Sequence, residues 1–540
     1  MINKEQKTKY IFITGGVYSS LGKGVSASSI GRILVELGFK VAMQKLDPYL
    51  NADPTYLSPY QHGEVFVTKD GKQADLDLGT YERFIDIDLN EYASISAGKV
   101  YSEITFKERH NEFKNVTVQT IPHITNHIIL YVQKVSETLD VDFVIVEIGG
   151  TIGDIESLPF IEAISQFIHK YGRENVMCVH CSPLIYINNV KELKTKPTQH
   201  SVRALRSLGI QPDILLLRSS KEVDQKTIEK LGWSCLIEEQ NIFVAPDVSS
   251  VYLLPNVLFK QKIHKSILDY FGLKVSKPTL SHWYSFTNQI TAPKQYKLRV
   301  GIIGKYIELP DAYKSIIESL NIAAYNQSVD LELVFIQAKA LDATNVQDEL
   351  ANINAFIFPS YTGKENGFSG SVCALAYARE HNIPTLVIGN AINLFVYDFL
   401  INIKEIKPQI KFNKEHSVAY LKDYFILKEE MVKFGSFPTN LSKNSLSYDL
   451  FKKTKINMRH LQRVFLGYNE LKKEINENDK LLIAGVDSDN FIDVLEYSDK
   501  KYFIACNFNP EFSTRPFKVN PYFSALLRIC IEEHNNESNN

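Results

Sequence analysis

The chain has 540 residues, 44% of them hydrophobic, so at roughly 150 residues per domain it can bury several cores and is no single small module. Sixty Lys and Arg against sixty-two Asp and Glu give a formal charge of −2, which excludes a global basic field for a nucleic-acid backbone and an acidic tail. Six scattered cysteines are too few for a disulfide scaffold and suit a reducing compartment. Cys178 and Cys181 form C-x-x-C inside the apolar run VMCVHCSPLIYI, where strand geometry turns i and i+3 to opposite faces, so they read as core residues. The start MINKEQKTKYIFITGG lacks an apolar h-region, and no later stretch reaches the ~18 uninterrupted apolar residues of a spanning helix. A soluble cytoplasmic protein is expected, with neither nucleic acid nor membrane as partner.

In chain order, β-branched runs alternate with longer amphipathic ones. YIFIT (Tyr10 to Thr14), VAMQKLD (Val41 to Asp47), DFVIVEIGG (Asp142 to Gly150) and DILLLRS (Asp213 to Ser219) read as strands of a parallel α/β sheet. The pattern pauses over 276–297, a polar stretch with two prolines that reads as a linker. It restarts with LRVGIIGKY (from Leu298), NAFIFPS (from Asn354), IPTLVIGN (from Ile383) and YFIACNFNP (from Tyr502). The expectation is an α/β protein with two doubly wound parallel-sheet domains, 1–275 and 298–535, and a frayed polar tail over 536–540.

The strand YIFIT runs into GGVYSSLGKGVSASSIGRILVELG. Glycines that open a helix let several backbone N–H groups converge on a phosphate, and Lys23 adds a fixed positive charge. This resembles a P-loop with irregular spacing, since five residues separate Gly16 from Gly22 and Gly24 stands where a Ser or Thr metal ligand is usual. A nucleoside triphosphate arrives with Mg²⁺, which favours carboxylate oxygens. Glu147, at the end of the run FVIV, and Asp77, in ADLDLGTYERF, are the candidates; by periodicity alone Asp77 is better read as a surface turn residue. In KELKTKPTQHS, alternating lysines enter a predicted helix, either as a solvated face or as a second anion site.

Taken in order, GGVYSSLGKG, KLDPYLNADPTYLSPYQHGEVFVTKDG, DLDLGTYERF, TVQTIPHIT, VEIGGTIGDIESLPF and KTKPTQHSV resemble the CTP synthase family over roughly Tyr10 to Pro255. GKYIELPDAYKSIIESL (Gly304 to Leu320) resembles the opening of that family's class I glutamine amidotransferase domain. The resemblance implies that ATP phosphorylates O4 of UTP and that ammonia displaces the phosphate at C4, a C–N ligase reaction of pyrimidine biosynthesis.

It also implies residue roles. Ser20, Leu21, Gly22, Lys23, Gly24 and Val25 would cradle ATP phosphates, with Asp77, Asp247 and Val248 completing the ATP site. Pro246 stands where the family commonly has a lysine. Asp77 and Glu147 would hold Mg²⁺, and Lys45 would assist phosphoryl transfer beside Lys23, Lys194 and Lys196. Ser19, Asp154, Ile155, Glu156, Lys194, Thr195, Lys196, Pro197, Thr198, Gln199 and Lys230 would hold UTP, or CTP as feedback inhibitor. His62 would border the ammonia route. A homotetramer with the UTP site between subunits is implied, and GTP activates the family's glutaminase.

The second domain departs from the family. A class I glutaminase uses a Cys nucleophile, a His base and a Glu that orients the His. The family's G-x-C-x-G-x-Q elbow aligns with Val387 to Asn393, which puts Gly389 at the nucleophile position. Its H-P-E aligns with Asn509-Pro510-Glu511, so only Glu511 remains. Its oxyanion segment P-G-G-F-G reads Pro359-Ser360-Tyr361-Thr362-Gly363. Asn cannot take up a proton, and Cys506 and Cys373 are not placed to replace the thiol. The expectation is a degenerate glutaminase beside a synthetase that uses free ammonia. Two alternatives stand beside it: glutamine dependence through a partner glutaminase, and a non-catalytic regulatory or filament-forming homologue.

Overall fold

The computed structural model describes residues 8–18, 21–52, 59–360, 367–413, 418–424, 433–475 and 480–539. The chain divides into two compact units, Met1–Leu57 with Asp77–Ile290, and Ser58–Leu76 with Thr291–Asn540.

In the first unit seven strands form one sheet, in the order Ile242–Pro246, Ile214–Ser219, Val176–Pro183, Lys9–Gly15, Phe143–Ile148, Val41–Asp47 and Ser94–Ser96. Every neighbouring pair is parallel. Strands buried on both faces need apolar residues throughout, which is why FVIVEI and VMCVHCSP are uninterrupted by exposed positions. Tyr10 and Phe12 stack edge-on against Phe167 at 4.8 and 5.4 Å. Cys178 and Cys181 are fully buried here, and burial pushes the Cys181 thiol up to about 12. The sheet order reverses around Lys9–Gly15, and the crevice outside such a reversal is where open α/β sheets bind ligands.

The second unit carries a larger mixed sheet. Val329–Gln337, Tyr296–Gly304, Ala355–Phe358, Thr385–Ile388 and Phe503–Cys506 are parallel neighbours in that order. Beyond Phe503–Cys506 the sheet continues antiparallel through Phe491–Tyr497, Leu481–Val486, Lys433–Leu441 and Lys455–Arg463. Alternate residues of Thr385–Ile388 feed the two cores: Val387 packs with Ile392 and Phe395, Leu386 and Ile388 with Leu320 and Tyr522.

Three stretches differ from the sequence expectation. Within 276–297 a helix, Ser281–Thr291, packs into the first unit through Trp283, which is fully buried, donates its Nε1–H to Tyr252 O at 3.0 Å and lies under the Arg32 guanidinium at 5.0 Å. Its period is obscured because only three of its eleven positions, Trp283, Phe286 and Thr287, are buried. The polar end is helical as well, Pro521–Asn539. Residues 58–76, expected within the first domain, belong to the second unit: Glu64 accepts from Ser315 N at 2.8 Å and from its hydroxyl, Phe66 meets Phe512 at 5.0 Å, and Val67 O accepts from Arg459 Nη1.

Candidate active site

Two strand ends and one helix start gather a buried charge cluster in the first unit. Lys45 and Glu147 are register partners on adjacent parallel strands, so both side chains leave the sheet on the same face. Asp77 opens the helix Asp77–Ile85. The Lys45 ammonium donates to Asp77 Oδ2 and to Glu147 Oε1, the second at 3.1 Å. Tyr81, one turn after Asp77, donates its O–H to Glu147 Oε2. Lys45 and Glu147 are 7% and 2% exposed. Burial alone would lower the Lys45 pKa, but Asp77 and Glu147 outweigh it and hold the ammonium well above the ordinary lysine range.

The phosphate loop meets this cluster. Gly22, at φ 84°, starts the helix Lys23–Glu36 and no side chain caps it, which leaves first-turn N–H groups to an anion. Lys23 folds back along Gly15, its Nζ donating to Gly150 O at 2.6 Å. Burial lowers the Lys23 pKa, and Glu147 opposes the shift. A Cβ added to Gly24 would lie 2.8 Å from Asp77 Oδ1 and 3.1 Å from Glu147 Oε2. Glycine at this position therefore has a steric reason: the two carboxylates occupy the space a Ser or Thr side chain would need.

Ser19 and Ser20 lie outside the described residues. Leu21 is buried and Val25 half-buried. A residue that the motifs did not flag, Arg218, ties this loop to the segment of Asp247 and Val248 expected to complete the ATP site. Its Nε donates to Leu21 O at 3.1 Å, its Nη1 to Ala245 O and Pro246 O at 2.8 and 3.0 Å, and its Nη2 to the exposed Asp247 at 3.1 Å. Val248 is half-buried beside it in sequence. The available signal was an arginine directly after the apolar run ILLL of the strand Ile214–Ser219.

The remaining predicted positions separate into two kinds. Asp154 accepts from Thr151 N at 2.9 Å, closing the turn in which Gly150 and Gly153 have positive φ, and Ile155 beyond it is 81% exposed. Glu156, Lys196 and Lys230 are exposed, and Lys194 pairs with Glu192 at 2.6 Å. In contrast, Thr195, Thr198 and Gln199 are buried and Pro197 half-buried. Thr198 donates to Pro183 O at 2.9 Å, and Gln199 Nε2 to Thr195 Oγ1 at 3.2 Å. Their side chains are spent on the fold, so a ligand at this turn would meet backbone and the lysines. His62 ends the short helix Pro59–His62 of the second unit, its pKa lowered by burial.

In the second unit the strand Thr385–Ile388 turns sharply at Gly389, φ 63°, into the helix Ile392–Asp398. Such a strand–turn–helix elbow exposes the side chain at its apex. A Cβ at Gly389 would overlap Ser360 Oγ and lie 3.6 Å from Asn509 Nδ2. Asn509 Nδ2 donates to Glu511 Oε1 at 2.8 Å and to Ser360 Oγ at 3.4 Å, while its Oδ1 accepts from Leu461 N at 2.8 Å. Positions 389, 509 and 511 thus converge. Tyr361, Thr362 and Gly363 lie outside the described residues. Burial pushes the Glu511 carboxyl up to about 8, and its Oε2 is buried without a hydrogen-bond partner. Cys506 pairs in register with Ile388 but points its Sγ at Val387 O and Phe508 O, and burial drives its thiol well above the usual range. Cys373 is half-buried in the helix Phe368–Glu380, its pKa also raised by burial. Among the described residues no helix is long and apolar enough to cross a membrane.

The family model described as CTP synthase N-terminus matches residues 9–273. A putative CTP synthase of Ureaplasma parvum serovar 3 is 53% identical over 98% of this chain and 98% of its own length. The CTP synthase of Bacillus subtilis is 38% identical over 98% and 99%. Among solved structures, the glutaminase domain of Trypanosoma brucei CTPS with bound acivicin overlaps 44% of this chain and 94% of its own at 19% identity, with a TM-score of 0.36. The full-length likeness at these identities places the chain in the CTP synthase family, ligases that form a C–N bond in converting UTP to CTP.

Proposed function

We propose that this chain makes CTP with free ammonia as nitrogen donor and that its second unit does not hydrolyse glutamine. A pyrimidine carbonyl oxygen is a poor leaving group. Transfer of the ATP γ-phosphoryl to O4 of UTP, with loss of the ring N3 proton, gives ADP and a phosphate ester. Ammonia then attacks C4, the phosphate departs with O4, and the nitrogen sheds its proton to leave the amine of CTP. Two triphosphates and a transferring phosphoryl group need concentrated positive charge and fixed donors.

The first unit supplies both. Lys23 and the N–H groups that open its helix bind the ATP phosphates, and Lys45, held protonated, offsets charge on the transferring group. Asp77 and Glu147 fit Mg²⁺: both are hard oxygen donors, side by side against Gly24, with Tyr81 fixing one oxygen of Glu147. When bound, the cation neutralises phosphate charge. Arg218 holds Leu21 and the 245–247 segment in register for the nucleotide. Asp154 to Glu156, Lys194 to Gln199 and Lys230 hold UTP, and CTP at the same site inhibits; the assembly is a cytoplasmic homotetramer. His62 borders the path of ammonia.

The observation that carries the nitrogen-source reading is the Gly389–Asn509–Glu511 cluster. Covalent glutamine hydrolysis needs a thiolate and a base. At the apex of the elbow there is no side chain, and the group beside it, the Asn509 amide, has no basic lone pair at neutral pH. Mass spectrometry of the intact chain after treatment with a glutamine-analogue chloroketone tests this. No adduct in the second unit is expected, and a stoichiometric adduct there refutes the reading.

A further inference from the structure

Thr14, His180 and Ser201 form a buried hydrogen-bonded chain that no catalytic role above uses. Thr14 Oγ1 lies 2.9 Å from His180 Nδ1, and His180 Nε2 lies 2.7 Å from Ser201 Oγ. Thr14 and His180 are fully buried and Ser201 is 7% exposed. Each sits on a different element of the site. Thr14 is on the strand that runs into the phosphate loop, His180 is its register partner on Val176–Pro183, and Ser201 is on the helix Lys196–Ser207, whose first turn carries Lys196 to Gln199.

The contact with the loop is close. A Cβ on Gly16 would overlap Ser201 Oγ and come within 2.7 Å of Ser201 Cβ and 3.3 Å of His180 Nε2. The loop backbone therefore rests directly on Ser201, and the helix cannot shift without moving the loop. Burial, with Lys23 adding to it, pushes the His180 pKa down to about 3, so the ring is neutral at physiological pH. A neutral imidazole has one donor and one acceptor, and the two hydroxyls use both.

We propose that His180 is a positioning residue that braces the helix Lys196–Ser207 against the phosphate loop, so that occupancy of one nucleotide site favours occupancy of the other. This rests on assigning ATP to the loop and UTP to the helix start. Coupling of this kind is reciprocal: ATP must tighten UTP by the factor by which UTP tightens ATP.

The test uses the full-length chain with Ser201→Ala, Thr14→Val and the double variant, all three of which keep the buried His180 in place. In the unaltered protein, binding of UTP measured by calorimetry strengthens when a non-hydrolysable ATP analogue is present, and the reverse. In each single variant that mutual strengthening falls by roughly 5- to 30-fold, the factor set by one lost buried hydrogen bond, while the melting temperature changes little. The double variant loses no more than either single one, because both cut the same chain. Unchanged coupling in the single variants, or losses that simply add in the double, overturn the proposal. Failure of the unaltered protein to bind UTP or the ATP analogue overturns the nucleotide assignment itself, a separate outcome.

Discussion

Gly24→Ala separates the needs of the site from the needs of the fold. Ordinary contacts of a Cβ begin near 3.4 Å, so the new methyl falls 0.6 Å short of Asp77 Oδ1 (3.4 − 2.8) and 0.3 Å short of Glu147 Oε2 (3.4 − 3.1). The Asp77 carboxylate is the movable end of a side chain at a helix start, whereas Glu147 is 2% exposed and held by Tyr81 and Lys45. Relieving the overlap costs about 1–3 kcal/mol. Alanine in place of glycine within a helix returns up to about 1 kcal/mol. The melting temperature should therefore move by only a few degrees. Activity responds differently, because a displacement of about 1 Å in a positioned group costs on the order of 10²-fold in rate. With Asp77 displaced by about half that, kcat for CTP formation from ammonium chloride should drop by roughly ten- to a hundredfold, with a higher Mg²⁺ requirement. The assay is kcat across a Mg²⁺ titration, paired with a thermal melt. Wild-type kcat at every Mg²⁺ concentration would refute the placement of Asp77 and Glu147 at the reacting phosphate.

Other expectations follow from the buried charges. Lys45→Met leaves Asp77 and Glu147 without their cation and should destabilise the first unit by about 3–5 kcal/mol, read by urea unfolding; adding Glu147→Gln should recover part of that loss. Glu511, with a pKa near 8 in the fold against 4.5 ordinarily, holds its proton more tightly folded than unfolded. Its contribution is therefore intact below about pH 4.5 and lost as pH rises through 8, by up to about 5 kcal/mol (3.5 × 1.36). Glu511→Gln should flatten the fall in melting temperature between pH 6 and 9; an unchanged slope would show that another group carries it.

The strands of both units were legible because burial on two faces leaves an unbroken apolar run: YIFIT, FVIVEI and TLVI lie where their hydrophobicity puts them. What periodicity could not disclose are features that depend on chain crossing. Residues 58–76 join the second unit through Glu64, Phe66 and Val67, pairings with partners 251 to 446 residues away in sequence (Ser315 − Glu64, Phe512 − Phe66). The antiparallel extension of the second sheet was hidden for the same reason, since Lys433–Leu441 pairs with both Lys455–Arg463 and Leu481–Val486. At the site, glycine spacing and a strand-end carboxylate pointed to Lys23 and Glu147, whereas Asp77, at the start of a helix, was reached only through the motif DLDLGTYERF. Tyr81 and Arg218 went unseen because one aromatic in a helix and one arginine in a strand carry no spacing signal. The convergence of Gly389, Asn509 and Glu511, some 120 residues apart, was readable from motif alignment, but the steric role of Ser360 beside them required coordinates.

The nitrogen source is the most direct test of the account. CTP formation by the purified chain from UTP, ATP and Mg²⁺ is measured with ammonium chloride alone and with glutamine plus GTP alone. The account predicts turnover with ammonium and none above background with glutamine. Equal turnover with glutamine would contradict the reading of Gly389 and Asn509, and no turnover with either source would contradict the assignment of synthetase chemistry to Lys23, Lys45, Asp77 and Glu147.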